Sequence, residues 1–388
     1  MSPIQSRDAG SLGGLLLYFL RLGALGFGGP IALAGRMDRD LVEERRWISR
    51  QDYAEGLAFS QLSPGPLAAQ LAMYIGWLKA GRLGALLVSI AFISPSFLMA
   101  VAIAAAYVKF GRLPWIQDLF YGIGAAVISI IGQSAWRLTR KTVGRDKFLW
   151  LLFTAVAVTT VWTGTEMVWL FVLCGVLAVL VKQPPRSAAG SMHSLAPSMT
   201  WLLAGIQGPA ALGVVAGVGW FFLKAGAFVF GSGLAIVPFL YGGVVREFHW
   251  LTERQFLDAI AVAMITPGPV VITAAFIGYL VAGIVGGTIA AAAVFAPPFA
   301  IVVVAAPYYR RFAGNPRVKA FVQGVTAAAV GAIAGAAVIL ARRALVDLVS
   351  VGLALAVLAT LLKLKRIPEP FVIMAAGAVG LLLHRSGS

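Results

Sequence analysis

The chain has 388 residues, of which 60% are hydrophobic and only 12% are charged, and its mean hydropathy is +0.89. A soluble protein of this length would carry about twice that share of charged residues, so the composition excludes soluble and extracellular domains. Many windows of about 20 residues are almost free of charge, which is the length needed to span a bilayer core. The sequence therefore predicts an all-α polytopic integral membrane protein.

The net charge of +16 is explained best by a membrane location. Lys and Arg collect in cytoplasmic loops beside anionic lipid, and no basic tail with interleaved aromatic residues is present, so nucleic acid is not an expected partner. The single cysteine, Cys174, has no partner for an internal disulfide, and the three histidines are scattered. These residues predict no metal site and no cofactor.

Apolar spans follow one another along the chain at membrane-crossing length. In the first half they cover residues 12–34, 54–78, 83–108, 117–138, 148–162 and 167–181. In the second half they cover residues 215–238, 257–281, 286–306, 318–341, 345–362 and 368–383. A further apolar segment, 200–214, has no counterpart in the first half. We expect about 12 or 13 transmembrane helices.

The two halves of the sequence are copies of one another. A gapless shift of 203 residues gives 20 identities in the 84 positions from 19 to 102, and it places Pro64, Gly65 and Pro66 on Pro267, Gly268 and Pro269. Chance would give roughly one identity in twelve in such a composition. The predicted organisation is a first repeat at 1–182, a linker with the additional apolar segment at 183–214, and a second repeat at 215–388.

Loop charges predict that the repeats insert in opposite directions. A loop rich in Lys and Arg in one repeat matches a loop with fewer in the other repeat, and this alternates along the chain. Because basic loops stay in the cytoplasm, the alternation indicates an inverted topology. Inversion needs an odd number of crossings before the second repeat, and residues 200–214 are predicted to supply the extra one.

Each repeat has a Pro-Gly-Pro motif that interrupts the helix of a predicted span. Interrupted helices in inverted repeats are typical of secondary transporters, and the N-terminus of such a half-helix binds anions. The predicted donors are the N–H groups of Gly65, Leu67 and Ala68 with the Ser63 hydroxyl, and those of Gly268, Val270 and Val271 with the Thr266 hydroxyl. The turn Gly28, Gly29 and Pro30 repeats the device in the first span. The alternative is a plain proline kink, which membrane helices tolerate.

Ionisable and polar residues also lie inside the predicted spans. Arg21 matches Lys224, and because a cation near the bilayer centre costs about 3 kcal/mol on insertion scales, we expect this pair to bind a divalent anion rather than to snorkel. Glu55 matches Asp258, and these acids either carry coupling protons or only complement a helix dipole. Four polar residues either line a path or hydrogen-bond between helices: Gln61, Gln70, Ser94 and Ser96.

The motifs FLRLGALGFGGP, VEERRWIS and SQLSPGPLAAQLAMYIGW, followed by a degenerate copy with TPGP, resemble the chromate transporter family in its long two-domain form. The resemblance covers essentially the whole chain. It implies a bacterial inner-membrane protein that exports the divalent oxyanion chromate with energy from the proton gradient and confers chromate resistance. The resemblance implies that the site residues are Arg21, the turn at 28–30 and the helix break at 64–66. Leu33 stands where many members have a histidine, so no role of that histidine is carried over.

Other functions stay open at this point. One is uptake or exchange of sulfate, which has the shape and charge of chromate, and another is a passive channel. A membrane-embedded enzyme or lipid-handling protein would need convergent catalytic groups, which the scattered histidines and few intramembrane acids do not offer, so we do not expect an enzyme. The expected partners are chromate, with sulfate as a competitor, and the lipid bilayer, and a homodimer is left open.

Overall fold

The computed structural model describes residues 11–27, 29–111, 113–163, 168–183, 213–227, 229, 236–309, 315–364 and 369–383. All regular secondary structure in these ranges is helical. They hold fourteen α-helices: α1 Leu12–Leu25, α2 Gly29–Met37, α3 Arg50–Leu62, α4 Leu67–Phe110, α5 Pro114–Thr142, α6 Lys147–Thr163, α7 Val168–Lys182, α8 Val214–Ala227, α9 Val237–Leu240, α10 Glu253–Ile265, α11 Thr273–Ala305, α12 Pro316–Ala344, α13 Leu348–Lys363 and α14 Glu369–Leu383.

The helices have the surface and the length of membrane segments. Within the described ranges, four stretches are long and apolar enough to cross a bilayer: Leu67–Phe110, Pro114–Arg140, Val270–Tyr308 and Pro316–Ala344. Large apolar side chains such as Leu98, Leu151 and Phe371 are more than half exposed on the outside. In a soluble protein such a surface would aggregate, whereas lipid covers it in a membrane. The prediction of a helical membrane protein is confirmed.

Helix α4 is 44 residues long, but its chain reverses direction in the middle. Ala80 and Gly81 have non-helical backbone angles, and Gly81 has a φ of +58°. A Cβ atom on Gly84 would lie 2.1 Å from the carbonyl oxygen of Gly76. In a straight helix these two residues would be about 12 Å apart. The two arms, 67–79 and 82–110, are therefore antiparallel, as the separate spans predicted at 54–78 and 83–108 require.

The Pro-Gly-Pro motif of the first repeat is the tip of a second reversal. The rings of Phe59 on α3 and Tyr74 on the first arm of α4 stack with their centroids 5.6 Å apart. At the other end of the pair, Arg50 and Lys79 line one cavity. Residues 54–78 thus form a re-entrant helical hairpin. The helix is interrupted as predicted, but its halves lie side by side instead of continuing across the membrane.

The predicted span 12–34 is also a hairpin. A Cβ on Gly14 would lie 3.3 Å from the Trp47 ring, and the Tyr18 hydroxyl donates to Asp40 at 3.2 Å, so the chain after Gly26 runs back along α1. Helix α2 continues through the π-helical turns Asp38–Glu44 on this return path. The first repeat therefore begins with two helical hairpins whose open ends share one side of the protein.

The second repeat has the same fold with one residue fewer. Up to the Pro-Gly-Pro motif, matching residues differ by 203 in number. After it, the numbers of matching residues differ by 202. This is seen at the chain reversal, where Gly278, Gly283 and Gly286 occupy the places of Gly76, Gly81 and Gly84. The missing residue falls where the short 3₁₀ turn Val270–Ile272 replaces the α-helical start of α4. The prediction of a gapless duplication is therefore wrong in this segment.

The hairpins of the two repeats open at opposite ends of the molecule. The second arm of α4 starts at the open end of the first-repeat hairpins and is about 43 Å long. At its far end, Tyr107 donates to Asp258, and the Gln117 carbonyl just beyond accepts from Arg254. Asp258 and Arg254 lie near the open end of the second Pro-Gly-Pro hairpin, so the repeats are inverted, in agreement with the loop charges.

After the second arm of α4 or α11, each repeat continues with three further helices: α5 to α7 in the first repeat and α12 to α14 in the second. Lys182 at the end of α7 pairs with Asp146 before α6 at 2.6 Å and donates to Gln323 near the start of α12 at 2.8 Å. The hydrogen bond that Lys182 donates to Asp146 lowers the pKa of the Asp146 carboxyl. Lys182 thus lies at the end where the first-repeat hairpins open, whereas Val214 begins α8 at the other end. The extra span predicted at 200–214 lies almost entirely outside the described residues.

The end that carries Arg50, Lys79 and the loops around Arg145 and Arg317 is called the basic end below. By the positive-inside rule we expect it to face the cytoplasm. With Cys174 replaced by serine, single cysteines at Arg145 and Arg317 should both react with an impermeant maleimide only in everted vesicles. A cysteine at Arg254 should react only in right-side-out vesicles. Labelling of positions 145 and 317 from different sides would contradict the inverted fold.

Candidate functional site

Hairpin tips from both repeats meet in the middle of the protein. The N–H of Gly65, in the first Pro-Gly-Pro tip, donates to the carbonyl of Val229 at 2.5 Å. Reciprocally, the N–H of Gly268 donates to the carbonyl of Gly26 at 3.0 Å. Gly26 and Val229 are matching residues of the two repeats, so these bonds are related by the internal two-fold symmetry. Each bond joins the tip of one repeat to a tip of the other.

Glycine is required at both Pro-Gly-Pro tips. Gly65 has a φ of +141° and Gly268 a φ of +99°, conformations that residues with a side chain rarely adopt. A Cβ on Gly65 would lie 2.5 Å from the Gln70 side chain and 2.8 Å from Pro298. A Cβ on Gly268 would lie 1.9 Å from the Ser96 hydroxyl. The tips are thus closed against side chains of neighbouring helices as well as against each other.

Half of the predicted anion donors are already used within the protein. Besides the two glycine N–H groups, the Ser63 hydroxyl donates to the Phe59 carbonyl at 2.9 Å and the Thr266 hydroxyl to the Val262 carbonyl at 3.0 Å. Their prediction as free donors is therefore wrong in this conformation, because the helix ends and the opposite repeat supply acceptors. The other four N–H groups form no hydrogen bond within the described part of the chain: Leu67, Ala68, Val270 and Val271.

The side chain that braces the first tip is Gln70. It is fully buried, donates through Nε2 to the Pro64 carbonyl at 2.6 Å, and lies with Oε1 3.3 Å from the Ser63 hydroxyl. The predicted site residue Gln61 is instead exposed at the end of α3. Ser96, also fully buried, donates to the Gly23 carbonyl at 3.3 Å. A polar residue inside an apolar span was the available sequence signal for both.

The two predicted intramembrane cations lie on α1 and α8, the first helices of the two repeats. Arg21 lies on the exposed face of α1 together with Leu17 and Leu20, one and a half turns before Gly26. Lys224 is half-buried, with its ammonium 5.6 Å from the centre of the Trp220 ring. Gly29 and Pro30 start α2 at the first tip, whereas Gly28 lies outside the described residues.

The two predicted proton carriers have different surroundings. Asp258 is only 5% exposed and accepts a hydrogen bond from the Tyr107 hydroxyl at 2.6 Å. Glu55 is half-buried and accepts from the Gln51 side chain, four residues earlier on α3, at 3.1 Å. Tyr107 carried no sequence signal, because its contact with Asp258 depends on the approach of the two repeats.

Residues that would hold a metal do not cluster in the part of the chain that the structure describes. Within the ranges that the structure describes, no three His, Cys, Asp or Glu residues come together as a metal site would need. The chemistry on offer consists of backbone N–H groups at helix starts, buried amides and hydroxyls, and isolated charges. Such groups bind and release an ion without changing its covalent bonds.

Comparison with known proteins assigns a family to this arrangement. The family model described as chromate transporter matches residues 13–179 and again residues 196–381. A chromate transport protein of Cupriavidus metallidurans is 54% identical over 95% of this chain and 92% of that protein. A probable chromate transport protein of Synechococcus elongatus is 52% identical over 98% of both chains, and a chromate transport protein of Pseudomonas aeruginosa is 31% identical over 95% of this chain. No solved structure matches the chain.

Proposed function

The chain belongs to the chromate transporter family, a family of transporters and not of enzymes, and from that premise we propose that it exports chromate across the bacterial inner membrane. We propose further that export is coupled to protons and that it confers chromate resistance. Both repeats, 1–182 and 215–388, form one functional unit in this proposal, because each tip-to-tip hydrogen bond takes one residue from each repeat.

The observation that carries the proposal is the meeting of re-entrant hairpin tips between inverted repeats. Each Pro-Gly-Pro tip ends at a helix start with two N–H groups directed away from the helix, Leu67 and Ala68 in one repeat and Val270 and Val271 in the other. Helix starts carry partial positive charge, and in secondary transporters they bind anionic groups at mid-membrane. These N–H groups are the proposed chromate ligands. Arg21 and Lys224 stay proposed ligands because they hold matching places in the two repeats, although Arg21 lies on an exposed face of α1 in this conformation.

The tip bonds also indicate how access would alternate. With the bonds from Gly65 to Val229 and from Gly268 to Gly26 formed, the two repeats close on one another at the centre. Breaking one of these bonds would open the centre toward one end of the protein. Breaking the symmetry-related bond would open it toward the other end. Inverted repeats that rock against each other around a central site provide such alternating access. Chromate would enter from the basic end, where Arg46, Arg50 and Lys79 line a cavity of about 760 Å³.

The proposal is tested by uptake of radiolabelled chromate into everted membrane vesicles that contain the protein. With an imposed gradient that is acidic inside, we expect accumulation well above vesicles without the protein, and collapse of the gradient should stop it. Excess sulfate should reduce the accumulation only slightly. No gradient-dependent accumulation of chromate, or accumulation of sulfate in its place, would contradict the proposed export function.

A further inference from the structure

A carboxylate of the second repeat is held by a tyrosine of the first repeat near the end opposite the basic end. Asp258 lies on α10, in the second Pro-Gly-Pro hairpin, and Tyr107 lies three residues before the end of α4. Their hydrogen bond of 2.6 Å is made at a carboxylate that is only 5% exposed. A buried acid inside a membrane protein is costly and marks a functional site by default.

Two aromatic rings fix the direction of the tyrosine. Tyr107 packs edge-on against Phe276 and Phe120, with centroids 5.6 Å away in each case. Phe276 belongs to the same hairpin as Asp258, whereas Phe120 belongs to α5 of the first repeat. The hydroxyl is therefore aimed at Asp258 only while the hairpin stays in its present position against the first repeat.

A cavity leads to Asp258 from the end opposite the basic end. It has a volume of about 550 Å³, and its polar lining consists of Tyr121, Thr252, Glu253, Arg254, Asp258 and Arg343. Thr252 and Arg254 are exposed, so the cavity is open to solvent. Arg343 pairs with Glu253 at 3.5 Å, and Arg254 donates to the Gln117 carbonyl at 3.1 Å. The Tyr107 hydroxyl holds the carboxylate, and Phe276 packs against the tyrosine ring.

We propose that Asp258 takes up the coupling proton from the non-cytoplasmic side through this cavity, and that Tyr107 is the residue that positions its carboxylate. This inference rests on the proposed proton-coupled export. The ionised carboxylate accepts a charge-assisted hydrogen bond, which is roughly twice as strong as a neutral one. Proton binding weakens the bond and so loosens the hairpin from the first repeat. The same hairpin carries Gly268, whose bond to Gly26 closes the centre.

The matching acid at the basic end is built differently, which is why the inference favours Asp258. Tyr309, the counterpart of Tyr107, packs edge-on against Phe59 at 5.4 Å, one turn after Glu55 on α3. The carboxylate of Glu55 accepts a hydrogen bond from Gln51 of its own helix and is more exposed than that of Asp258. The deeper burial of Asp258 is therefore what favours it over Glu55.

The test uses the full-length protein in everted vesicles and two readouts, gradient-driven chromate accumulation and chromate exchange without a gradient. Asp258→Asn should lose gradient-driven accumulation and keep exchange, because the anion site stays intact. Tyr107→Phe should keep both, but the pH profile of accumulation should move to higher pH by roughly one unit, since the carboxylate loses a donor that favours its charged form. A role of Tyr107 in packing alone would change the rate and leave the profile in place.

Tyr18→Phe is the matched control, because it also removes a tyrosine hydroxyl that donates to an aspartate, Asp40, but at the basic end. Its pH profile should equal that of the unmodified protein, which also cancels any effect of pH on chromate itself. If the unmodified protein shows no gradient-driven accumulation, the proposed function fails. If it does, and Asp258→Asn accumulates chromate equally well or Tyr107→Phe has an unmoved profile, the inference about this pair fails alone. Should Asp258→Asn fail to insert, the profile of Tyr107→Phe decides.

Discussion

Gly268→Ala is expected to abolish chromate transport in a protein that still inserts into the membrane. An alanine at this tip needs a φ of +99°, and its Cβ would lie 1.9 Å from the Ser96 hydroxyl oxygen. Backbone strain and overpacking together cost about 2–6 kcal/mol, which the tip can relieve only by moving away from α4. That movement breaks the bond from Gly268 to Gly26. The measurements are the chromate accumulation rate and the amount of inserted protein.

A second substitution separates the effect of the backbone strain at Gly268 from the effect of the clash with Ser96. The nearest atoms to the added Cβ are the hydroxyl oxygen and the Cβ of Ser96, so Gly268→Ala combined with Ser96→Gly removes the clash and leaves the strain. This double variant should recover part of the transport. Gly132→Ala is the control, because that glycine lies within α5 with nothing within 4 Å of an added Cβ. Transport by Gly268→Ala at the unmodified rate would show that the closed tip is dispensable.

The sequence predicted the architecture well where repetition and charge carried the signal. Pro64 to Pro66 and Pro267 to Pro269 marked the helix breaks, and the alternating loop charges predicted the inversion that the contacts of Tyr107 and Arg254 confirm. The direction of the chain after each break was not predictable in this way. A hydrophobic window of the right length fits one crossing or a pair of short antiparallel helices equally well, since only tertiary contacts distinguish them.

A finer signal was present in the sequence and was missed. Between residues 67 and 102, a shift of 202 gives 11 identities with the second repeat, whereas the shift of 203 gives six. The better register aligns Gly76, Gly81 and Gly84 with Gly278, Gly283 and Gly286, which are the residues that allow the sharp reversal. Side-chain partners across the repeats, such as Ser96 with Gly268, depend on how the repeats dock and have no counterpart in sequence spacing.

Gly84→Val is expected to prevent folding, and it distinguishes a reversed α4 from a straight one. Its Cβ would lie 2.1 Å from the carbonyl oxygen of Gly76 and 2.9 Å from the Ala80 side chain. A backbone oxygen does not move aside as a flexible side chain does, so the two arms must separate, at a cost of about 3 kcal/mol or more. In a straight helix the residues would be about 12 Å apart, and valine would be tolerated. The measurement is the yield of monodisperse protein after detergent extraction, with its unfolding temperature.

Gly132→Val provides the matched control, because it places the same side chain within α5, where an added Cβ meets nothing within 4 Å. It should be extracted in normal yield. The second repeat offers an independent copy of the experiment, since a Cβ on Gly286 would lie 2.2 Å from the Gly278 carbonyl oxygen. Equal losses at Gly84 and Gly286 would support antiparallel arms in both repeats. If Gly84→Val and Gly286→Val both fold and transport chromate normally, the arms are not packed against each other. That result would contradict the re-entrant hairpins that place the Pro-Gly-Pro tips at the centre.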